Sequence, residues 1–329
     1  MTVRWGIAGP GRIAEAVAGD FGHVPGAELV AVGSRSAARA ADFAGRHDIA
    51  RAHGSYRALL DDPEVDVVYI ATPHPQHHAL ALAAIEAGKG LLIEKAFTAT
   101  VAGAQEIVAA SRERGVFVME AMWTRFQPAL RQMRAWLDAG VLGDVRAVEA
   151  DLGVVRTFDP ADRLFAPELG GGALLDLGVY VVSFAQWVLG TPERVVAHGR
   201  LGQTGVEEDA SVLLTYPDGV TALLTTSLHS PMPGSARVFG TEGWIDVLPR
   251  FHHPTEVVLH RHGAPPEHVL ALPDGGGYSH ELAEVTACVE AGAIESAIMP
   301  LADTLVVQQI LADAGQQLGV EWREDPTAL

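Results

Sequence analysis

Residues 5–14 read Trp-Gly-Ile-Ala-Gly-Pro-Gly-Arg-Ile-Ala, a Gly-x-Gly-x-x-Ala turn between an apolar strand and a helical stretch. Gly9 permits the tight turn, and Gly11 lets the backbone approach a pyrophosphate held at the helix amino terminus. Ala14 allows the helix to pack closely on the sheet. Because a second strand follows the helix, an ordinary strand-to-helix turn is the weaker interpretation. The residues expected to contact a dinucleotide here are Gly9, Gly11, Arg12 and Ile13.

Short apolar strands alternate with alanine-rich helical stretches as far as residue 118. This alternation is typical of a doubly wound parallel sheet. We therefore predict an α/β Rossmann domain over residues 1–122. The expected strands are 3–8, 28–33, 67–71, 90–94 and 116–120, and the expected helices are 12–20, 36–45, 76–88 and 100–114.

The pattern changes in residues 123–329, which we assign to a second, α+β domain. From 194 to 262 the chain shows β-branched runs separated by turns such as Tyr-Pro-Asp-Gly at 216–219. Such runs predict a mainly antiparallel sheet. The expected helices are 128–139, one bearing Asp176 and Tyr180 after a loop at 156–171, and two closing helices near 278–291 and 301–317.

The composition excludes several classes of partner. The net charge of −18 opposes binding to nucleic acid and to anionic membrane surfaces. The hydrophobic fraction is 48%, yet we expect no membrane span and no secretory signal peptide, and hence a cytoplasmic protein. The single cysteine, Cys288, lies in a helical stretch and is expected to be inert. A small-molecule partner fits this composition best.

The end of the second strand, Val-Gly-Ser-Arg-Ser at 32–36, bears on the choice of cofactor. A fold that selects NAD usually has Asp or Glu here, against the ribose 2′-hydroxyl. The Ser34 hydroxyl and the Arg35 guanidinium, with Arg39 nearby, instead suit a 2′-phosphate. A solvated loop arginine is the alternative. We predict that NADP is preferred over NAD.

The sequence Thr-Pro-His at 72–74 follows the strand ending at 71, at the sheet edge where such folds bind ligands. His77 and His78 begin the next helix. A zinc ion needs three or four converging ligands with a supporting shell, so we predict no metal here or at His252-His253. The residues expected to border the cofactor are Thr72, Pro73, His74 and His77.

A charged pair, Glu94-Lys95, ends the apolar strand 90–94 at the same sheet edge. Beside a nicotinamide, the Lys95 ammonium would bond a substrate oxygen and favour the phenolate form of a neighbouring tyrosine. A surface Glu-Lys pair of little energetic weight is the alternative. We expect both residues to contact the cofactor.

Residues 170–180, Gly-Gly-Gly-Ala-Leu-Leu-Asp-Leu-Gly-Val-Tyr, place Asp176 and Tyr180 on an otherwise apolar helix. As i and i+4 they share one helix face. Considered alone, a helix-capping Asp and a Tyr bonded to a backbone carbonyl explain the pair better than catalysis does. Together with the dinucleotide turn and Lys95, the pair indicates an active site.

These motifs resemble those of the Gfo/Idh/MocA (glucose-fructose oxidoreductase and inositol dehydrogenase) family over nearly the whole chain. Its members have a Rossmann domain, a Glu-Lys-Pro motif and a carboxyl-terminal open-faced sheet, matched here by 6–14, 94–96 and 194–262. Residues 118–126 and 170–180 look most like the dimeric dihydrodiol dehydrogenase branch, which includes NADP-dependent xylose dehydrogenases. Two departures are Ala96, where the family usually has Pro, often with a cis bond, and Tyr180, where many members have His.

The resemblance implies Tyr180 as general acid and base, Lys95 as its electrostatic partner and substrate anchor, and Asp176 as the acceptor that orients it. It implies an NADP-dependent oxidoreductase that exchanges hydride between nicotinamide and a sugar, cyclic polyol or trans-dihydrodiol. Two alternatives remain: an NADP-binding redox sensor without turnover, and a sugar-sugar oxidoreductase with a permanently held cofactor.

The second domain is expected to bind substrate and to form oligomers. An exposed sheet face would favour aggregation in a monomer, so we expect a homodimer or homotetramer. Four residues are candidates for lining the site, although core packing explains the aromatic ones and a solvated loop explains Arg163 about as well. They are Trp123, Phe158 and Arg163 for the substrate, and Arg125 for the cofactor.

Overall fold

A computed structural model describes residues 2–329 and divides the chain into two compact units. The first unit contains the chain up to Met122, together with Asp274–Leu305 and Arg323–Leu329. The second contains Trp123–Pro273 and Val306–Trp322. Two segments that the sequence pattern assigned to the second domain, 274–305 and 323–329, therefore lie in the first unit.

The first unit is built on a six-stranded parallel sheet with strand order β3-β2-β1-β4-β5-β6. This order confirms the predicted doubly wound Rossmann architecture. Only β3, a strand of three residues, was not expected from the sequence. The strands are β1 (Val3–Ala8), β2 (Ala27–Gly33), β3 (Arg51–His53), β4 (Val67–Ile70), β5 (Gly90–Glu94) and β6 (Val118–Ala121).

Five helices connect these strands, and their ends follow ordinary capping chemistry. Side-chain oxygens of Ser36, Ser55 and Thr100 accept hydrogen bonds from backbone amides at the starts of the second, third and fifth helices. Gly115, in the left-handed conformation, ends the fifth. The helices are α1 (Arg12–Asp20), α2 (Ala37–Arg46), α3 (Tyr56–Leu60), α4 (His77–Glu86) and α5 (Val101–Arg114).

The second unit is built on an eight-stranded sheet with strand order β14-β13-β12-β11-β7-β10-β9-β8. Only β7 and β10 pair in parallel, so the predicted mainly antiparallel sheet is confirmed. The strands are β7 (Val145–Gly153), β8 (Arg194–Leu201), β9 (Glu207–Thr215), β10 (Thr221–Ser227), β11 (Ala236–Gly240), β12 (Gly243–Val247), β13 (Glu256–Arg261) and β14 (Glu267–Leu270).

One face of this sheet is covered by helix and the other carries exposed apolar residues. Helices α6 (Pro128–Asp138) and α7 (Val179–Leu189) belong to this unit, and α7 packs on β7 and β10. Strand register places Leu223, Leu213 and Val196 on one face of neighbouring strands. Leu223 is 53% exposed and Val196 is 38% exposed, so this face is open.

The segment Pro167–Leu189, which ends with α7, is long and apolar enough to pass a length-and-composition test for a membrane span. The sequence predicted no membrane span in this segment. Within its most apolar window, however, 78% is buried inside the protein. It is therefore a core segment whose apolar character follows from packing on the sheet.

Two further helices follow the sheet, α8 (Ser279–Glu290) and α9 (Leu301–Leu318). The start of α8 is held within the first unit by Asp20. The Asp20 carboxylate accepts hydrogen bonds from the backbone amides of Gly276, Tyr278 and Ser279 at 2.7–3.0 Å. Burial of Asp20 strengthens these charge-assisted bonds. This contact links the beginning of the segment Asp274–Leu305 to α1 of the same unit.

Candidate active site

The glycine turn after β1 has the geometry of a phosphate-binding loop. Gly9 has φ +100°, and a Cβ there would lie only 3.0 Å from the carbonyl oxygen of Ala71. A Cβ on Gly11 would meet that same oxygen only at 4.0 Å, so space remains beside it. Gly11 has no side chain to cap α1, which leaves the first helix amides, among them Arg12 and Ile13, available to an anion. The turn thus fits a dinucleotide pyrophosphate.

Two arginines stand at the carboxyl end of β2 and the start of α2. Arg35 and Arg39 are exposed, and the Arg39 guanidinium donates to the carbonyl oxygen of Pro10 in the glycine turn at 3.4 Å. Burial raises the pKa of Tyr56, whereas the positive charges of Arg35 and Arg39 act to lower it. Ser34 is buried, and its hydroxyl accepts from the Ser36 amide at 3.2 Å. The two cations at this end of β2, one of them in contact with the turn, suit a phosphate monoester on the ribose.

His77 is the first residue of α4, and its ring is enclosed by protein. Its Nε2 is 2.8 Å from the carbonyl oxygen of Thr72, and its Nδ1 is 3.1 and 3.2 Å from those of Ala96 and Phe97. The side chain is fully buried, and burial lowers its pKa. The structure therefore makes His77 a brace between two loops, where the sequence suggested a cofactor contact.

Lys95 is half-buried directly after β5, and its backbone is held from two sides. Its amide donates to Oε2 of Glu94 at 3.2 Å, and its carbonyl oxygen lies 3.2 Å from Nε2 of His74. The Tyr69 hydroxyl donates to the other carboxylate oxygen of Glu94. The Lys95–Ala96 peptide bond is cis. Glu94 and His74 thus hold the main chain of Lys95 through hydrogen bonds. Thr72 and Pro73 form the turn that leads to His74.

In the second unit, the segment bearing Asp176 and Tyr180 is not a regular α-helix. Residues Leu174–Gly178 are π-helical, and α7 begins only at Val179. Asp176 and Tyr180 therefore do not lie one regular α-helical turn apart, because a π-helical turn contains more residues than an α-helical turn. Asp176 is 8% exposed and Tyr180 is 9% exposed. Single π turns inside helices occur frequently at functional sites.

Arg163 forms an ion pair with Asp176. Its guanidinium donates to Oδ1 of Asp176 at 3.1 Å, and the Arg163 side chain is 44% exposed. The 156–171 loop thus supplies one partner of Asp176. The ring of Phe158 in the same loop packs edge-on against Phe165, with ring centroids 5.2 Å apart.

A row of aromatic rings leads from Trp123 to Tyr180. The Tyr180 ring centroid lies 5.2 Å from that of His252, and the Trp123 ring lies 4.9 Å from His253. The Thr124 hydroxyl donates to the carbonyl oxygen of His252 at 2.8 Å. Burial, with the charge of Arg250, lowers the pKa of His253 to about 4, so this ring is neutral near pH 7. In the sequence the two histidines stand out only as possible metal ligands, and no local signal indicates that they pack beside Tyr180 and Trp123.

Arg125 does not line an open site. It is 1% exposed, donates to Oε1 of Gln186 at 2.5 Å, and its guanidinium carbon lies 5.7 Å from the Trp187 ring. Both partners are on α7. In the structure Arg125 therefore holds α7 within the second unit, whereas the sequence suggested a cofactor contact. Within residues 2–329, no group of three or more His, Cys, Asp or Glu side chains is arranged to hold a metal ion.

Glu207 lies beneath the amino end of the segment that bears Asp176 and Tyr180, a position that no local sequence signal indicates. The residue is fully buried, and its Oε1 accepts from the Leu174 amide at 2.8 Å. Burial raises the pKa of Glu207 to about 8, against the lowering effect of backbone hydrogen bonds. Near pH 7 the carboxyl group is therefore largely protonated.

This raised pKa makes stability depend on pH. Between pH 4.5 and about 8 the folded chain keeps a proton on Glu207 that the unfolded chain releases, so the free energy of unfolding falls as pH rises. Glu207→Gln removes this loss. We expect its stability relative to wild type to increase from pH 5 to 8, by at most about 1.4 kcal/mol per pH unit. Urea unfolding of both proteins at several pH values measures the difference, and parallel pH profiles would contradict it.

Comparison with known proteins places this geometry in a family. Residues 3–122 match the family model described as an oxidoreductase family with an NAD-binding Rossmann fold, and residues 130–246 match the GFO/IDH/MocA C-terminal domain. The chain is 38% identical over 338 residues to trans-1,2-dihydrobenzene-1,2-diol dehydrogenase of Homo sapiens, and 39% identical over 335 residues to that of Mus musculus. In both comparisons 99% of each chain is covered.

Solved structures agree with this placement. A 3-ketoreductase from Actinomadura kijaniata, in complex with NADP and TDP-benzene, matches with a TM-score of 0.86 and 28% identity, over 98% of this chain and 99% of that one. An aldose-aldose oxidoreductase from Caulobacter crescentus, complexed with glycerol, has the same fold, with a TM-score of 0.88 at 24% identity over 97% of this chain and 98% of that one. The chain therefore belongs to the GFO/IDH/MocA family of nicotinamide-dependent oxidoreductases.

Proposed function

We propose that this oxidoreductase is an NADP-dependent dehydrogenase or reductase that acts on a ring-bound secondary alcohol in a trans-dihydrodiol, a sugar or a cyclic polyol. The observation that carries the proposal is the buried Asp176-Tyr180 pair on an apolar π-to-α segment. Names of the relatives support it, since proteins 37–39% identical are called dihydrodiol dehydrogenases.

The groups around Tyr180 suit a ring that carries hydroxyls. Arg163, Asp176 and Tyr180 offer hydrogen-bonding groups to adjacent hydroxyls, and the half-buried His252 ring beside Tyr180 offers a flat surface for a ring to stack on. The Trp123 ring extends that surface, with its centroid 6.2 Å from the His252 ring. A cyclic diol satisfies both features.

Each residue has a proposed role in proton transfer. When bound, nicotinamide accepts or supplies the hydride. Tyr180 takes the hydroxyl proton during oxidation and returns it during reduction, because a positioned acid-base group lowers the barrier of proton transfer. Asp176 orients the phenol as a hydrogen-bond acceptor. For Lys95, in the first unit, we propose the role that the family resemblance implies, which is to be the electrostatic partner of Tyr180 and to anchor the substrate oxygen, because an ammonium beside a phenol favours phenolate.

The first unit would hold the dinucleotide. Gly9 and Gly11, with the amides of Arg12 and Ile13, fit the pyrophosphate, and Arg35 with Arg39 fits the 2′-phosphate. We accordingly propose NADP over NAD as the preferred cofactor.

A panel of cyclic diols, aldoses and inositols, assayed by the absorbance of reduced nicotinamide, tests the proposal. Turnover that requires added NADP supports it. Paired oxidation of one sugar and reduction of another without added NADP, measured by analysis of the sugar products because the bound cofactor is regenerated in each cycle, would instead identify a sugar-sugar oxidoreductase. Its bound cofactor should survive gel filtration. Tight NADP binding without turnover on the panel in either direction would identify a redox sensor.

We also propose that the chain forms a homodimer, or a homotetramer of paired dimers, through the open sheet face. The exposed apolar side chains of Leu223 and Val196 support this, because monomers seldom expose such a surface. Light scattering should report at least a dimer, and Leu223→Lys should shift it toward monomer. Leu272→Lys, at a 67% exposed position outside the strands, is the matched control. A monomeric wild type would contradict the proposal.

We place the enzyme in the cytoplasm as a further proposal. The single cysteine, Cys288, supports it, because chains of oxidising compartments commonly carry paired cysteines. Burial raises the pKa of this thiol to about 11, which also limits its reactivity. Cell fractionation with an antibody to the chain would test the location.

A further inference from the structure

We propose that Glu207 is a positioning residue: from β9 its carboxyl group caps the amino end of the π-helical segment and so fixes where Asp176 and Tyr180 stand. The inference rests on the proposed role of Tyr180. All the contacts that carry it lie within the second unit.

The Glu207 carboxyl group accepts a hydrogen bond from a backbone amide that has no acceptor within the helix. The first amides of any helix lack partners within it. Here the residue before the π segment is Ala173, whose side chain offers no acceptor. The Leu174 amide instead donates to Oε1 of Glu207 at 2.8 Å. A strand that follows the segment in sequence therefore supplies its cap.

The chain before the segment is shaped to admit this carboxyl group. Gly172 has φ +117°, and a Cβ at this position would overlap the Glu207 carboxyl oxygens. The Gly172 amide donates to the carbonyl oxygen of Leu164 at 2.9 Å, and the Gly171 amide to that of Ala166 at 3.1 Å. Residues 164–166 of the 156–171 loop thus pack against Gly171 and Gly172 on one side, and the Glu207 carboxyl group packs against Gly172 on the other. Only glycine leaves room for both at position 172.

The cap acts where the helix geometry changes. The π-helical turn Leu174–Gly178 contains Asp176, and Tyr180 stands in the first turn of α7. Releasing the Leu174 amide would let this turn relax toward α geometry, which changes the direction of both side chains. A displacement of about 1 Å in a catalytic group can lower turnover about 100-fold.

Glu207 serves as an acceptor and not as a charge. Within residues 2–329 its Oε2 has no hydrogen-bond partner, so the group belongs to no ion-pair network. Burial keeps it largely protonated near pH 7. A glutamine, which retains the acceptor at the same reach, should therefore replace it, whereas a shorter aspartate should not.

The test compares Glu207→Gln, Glu207→Asp and Glu207→Ala by amide hydrogen exchange and by steady-state kinetics. In the Asp and Ala variants we expect faster exchange over residues 173–180 and a kcat lower by about 10- to 100-fold, with unchanged NADP affinity. The Gln variant should keep wild-type exchange and a kcat within about threefold of wild type. If the Ala variant does not fold, the Asp variant decides.

Glu208→Gln is the matched control, since Glu208 is a buried carboxylate on the same strand that pairs with Arg200 and His229. It should leave exchange over 173–180 and kcat unchanged. The proposal fails if Glu207→Asp matches wild type in both measurements, if the Gln variant is impaired as much as the Asp variant, or if Glu208→Gln has the same effect. A wild type without dehydrogenase activity would refute the proposed function, while hydrogen exchange would still decide whether Glu207 caps the segment.

Discussion

Tyr180→Phe is expected to lower kcat by about 100- to 10,000-fold while leaving NADP affinity unchanged. The substitution removes only the phenolic oxygen, so the ring packing against His252 is retained. The residues that fit the dinucleotide belong to the first unit and are untouched. Steady-state kinetics on the best substrate of the panel, together with NADP titration by fluorescence, measures both quantities.

Tyr216→Phe is the matched control for this experiment. Tyr216 is a buried tyrosine of the second unit, and within the described residues its hydroxyl has no hydrogen-bond partner. Removing that hydroxyl should leave turnover unchanged. Near-normal turnover of Tyr180→Phe would remove Tyr180 from the mechanism, and an equal loss in both variants would indicate a general effect of removing a buried hydroxyl.

Arg35→Asp is expected to reverse the cofactor preference. The ratio of kcat/KM with NADP to that with NAD should fall by about 10- to 100-fold, because a hydrogen bond to a charged group is worth about 1.5–3 kcal/mol. The new carboxylate would also repel the 2′-phosphate and accept from the ribose 2′-hydroxyl of NAD. Kinetics with both cofactors at fixed substrate concentration measures the ratio.

Arg112→Asp provides the same change in charge at a distant position. Arg112 is exposed in the last turn of α5, a helix that runs back toward the opposite edge of the sheet. This variant should keep the wild-type ratio. A wild type that already favours NAD, or an unchanged ratio in Arg35→Asp, would contradict the assignment of the 2′-phosphate site.

Local sequence signals predicted most of the first unit. The glycine turn, the strand 90–94 and the helix 12–20 have the expected bounds, because turn chemistry and apolar periodicity are properties of neighbouring residues. The short strand β3 carries too few residues to show a period. The return of 274–305 to the first unit involves long-range contacts such as that with Asp20, which no local pattern reveals.

The site was predicted less completely, since its missing parts are contacts between distant residues. The ring contact between His252 and Tyr180 and the hydrogen bond between Glu207 and Leu174 join residues that are far apart in the sequence, and the tertiary fold of the second unit brings them together. The π turn has no compositional signature. Conversely, Arg125 and His77 have the chemistry of ligands, but their partners in the fold already occupy them. A polar residue type indicates that a partner exists, and the fold decides which one.

We propose that Tyr180 and Lys95 serve one proton-transfer step, and a double-mutant cycle tests this most directly. The cycle compares kcat/KM for Lys95→Met, Tyr180→Phe and the double variant with wild type. Residues that act as a unit are strongly non-additive. We expect kcat/KM of the double variant to be about as low as that of Tyr180→Phe alone. Losses that multiply would show that the two residues act independently and would contradict the account.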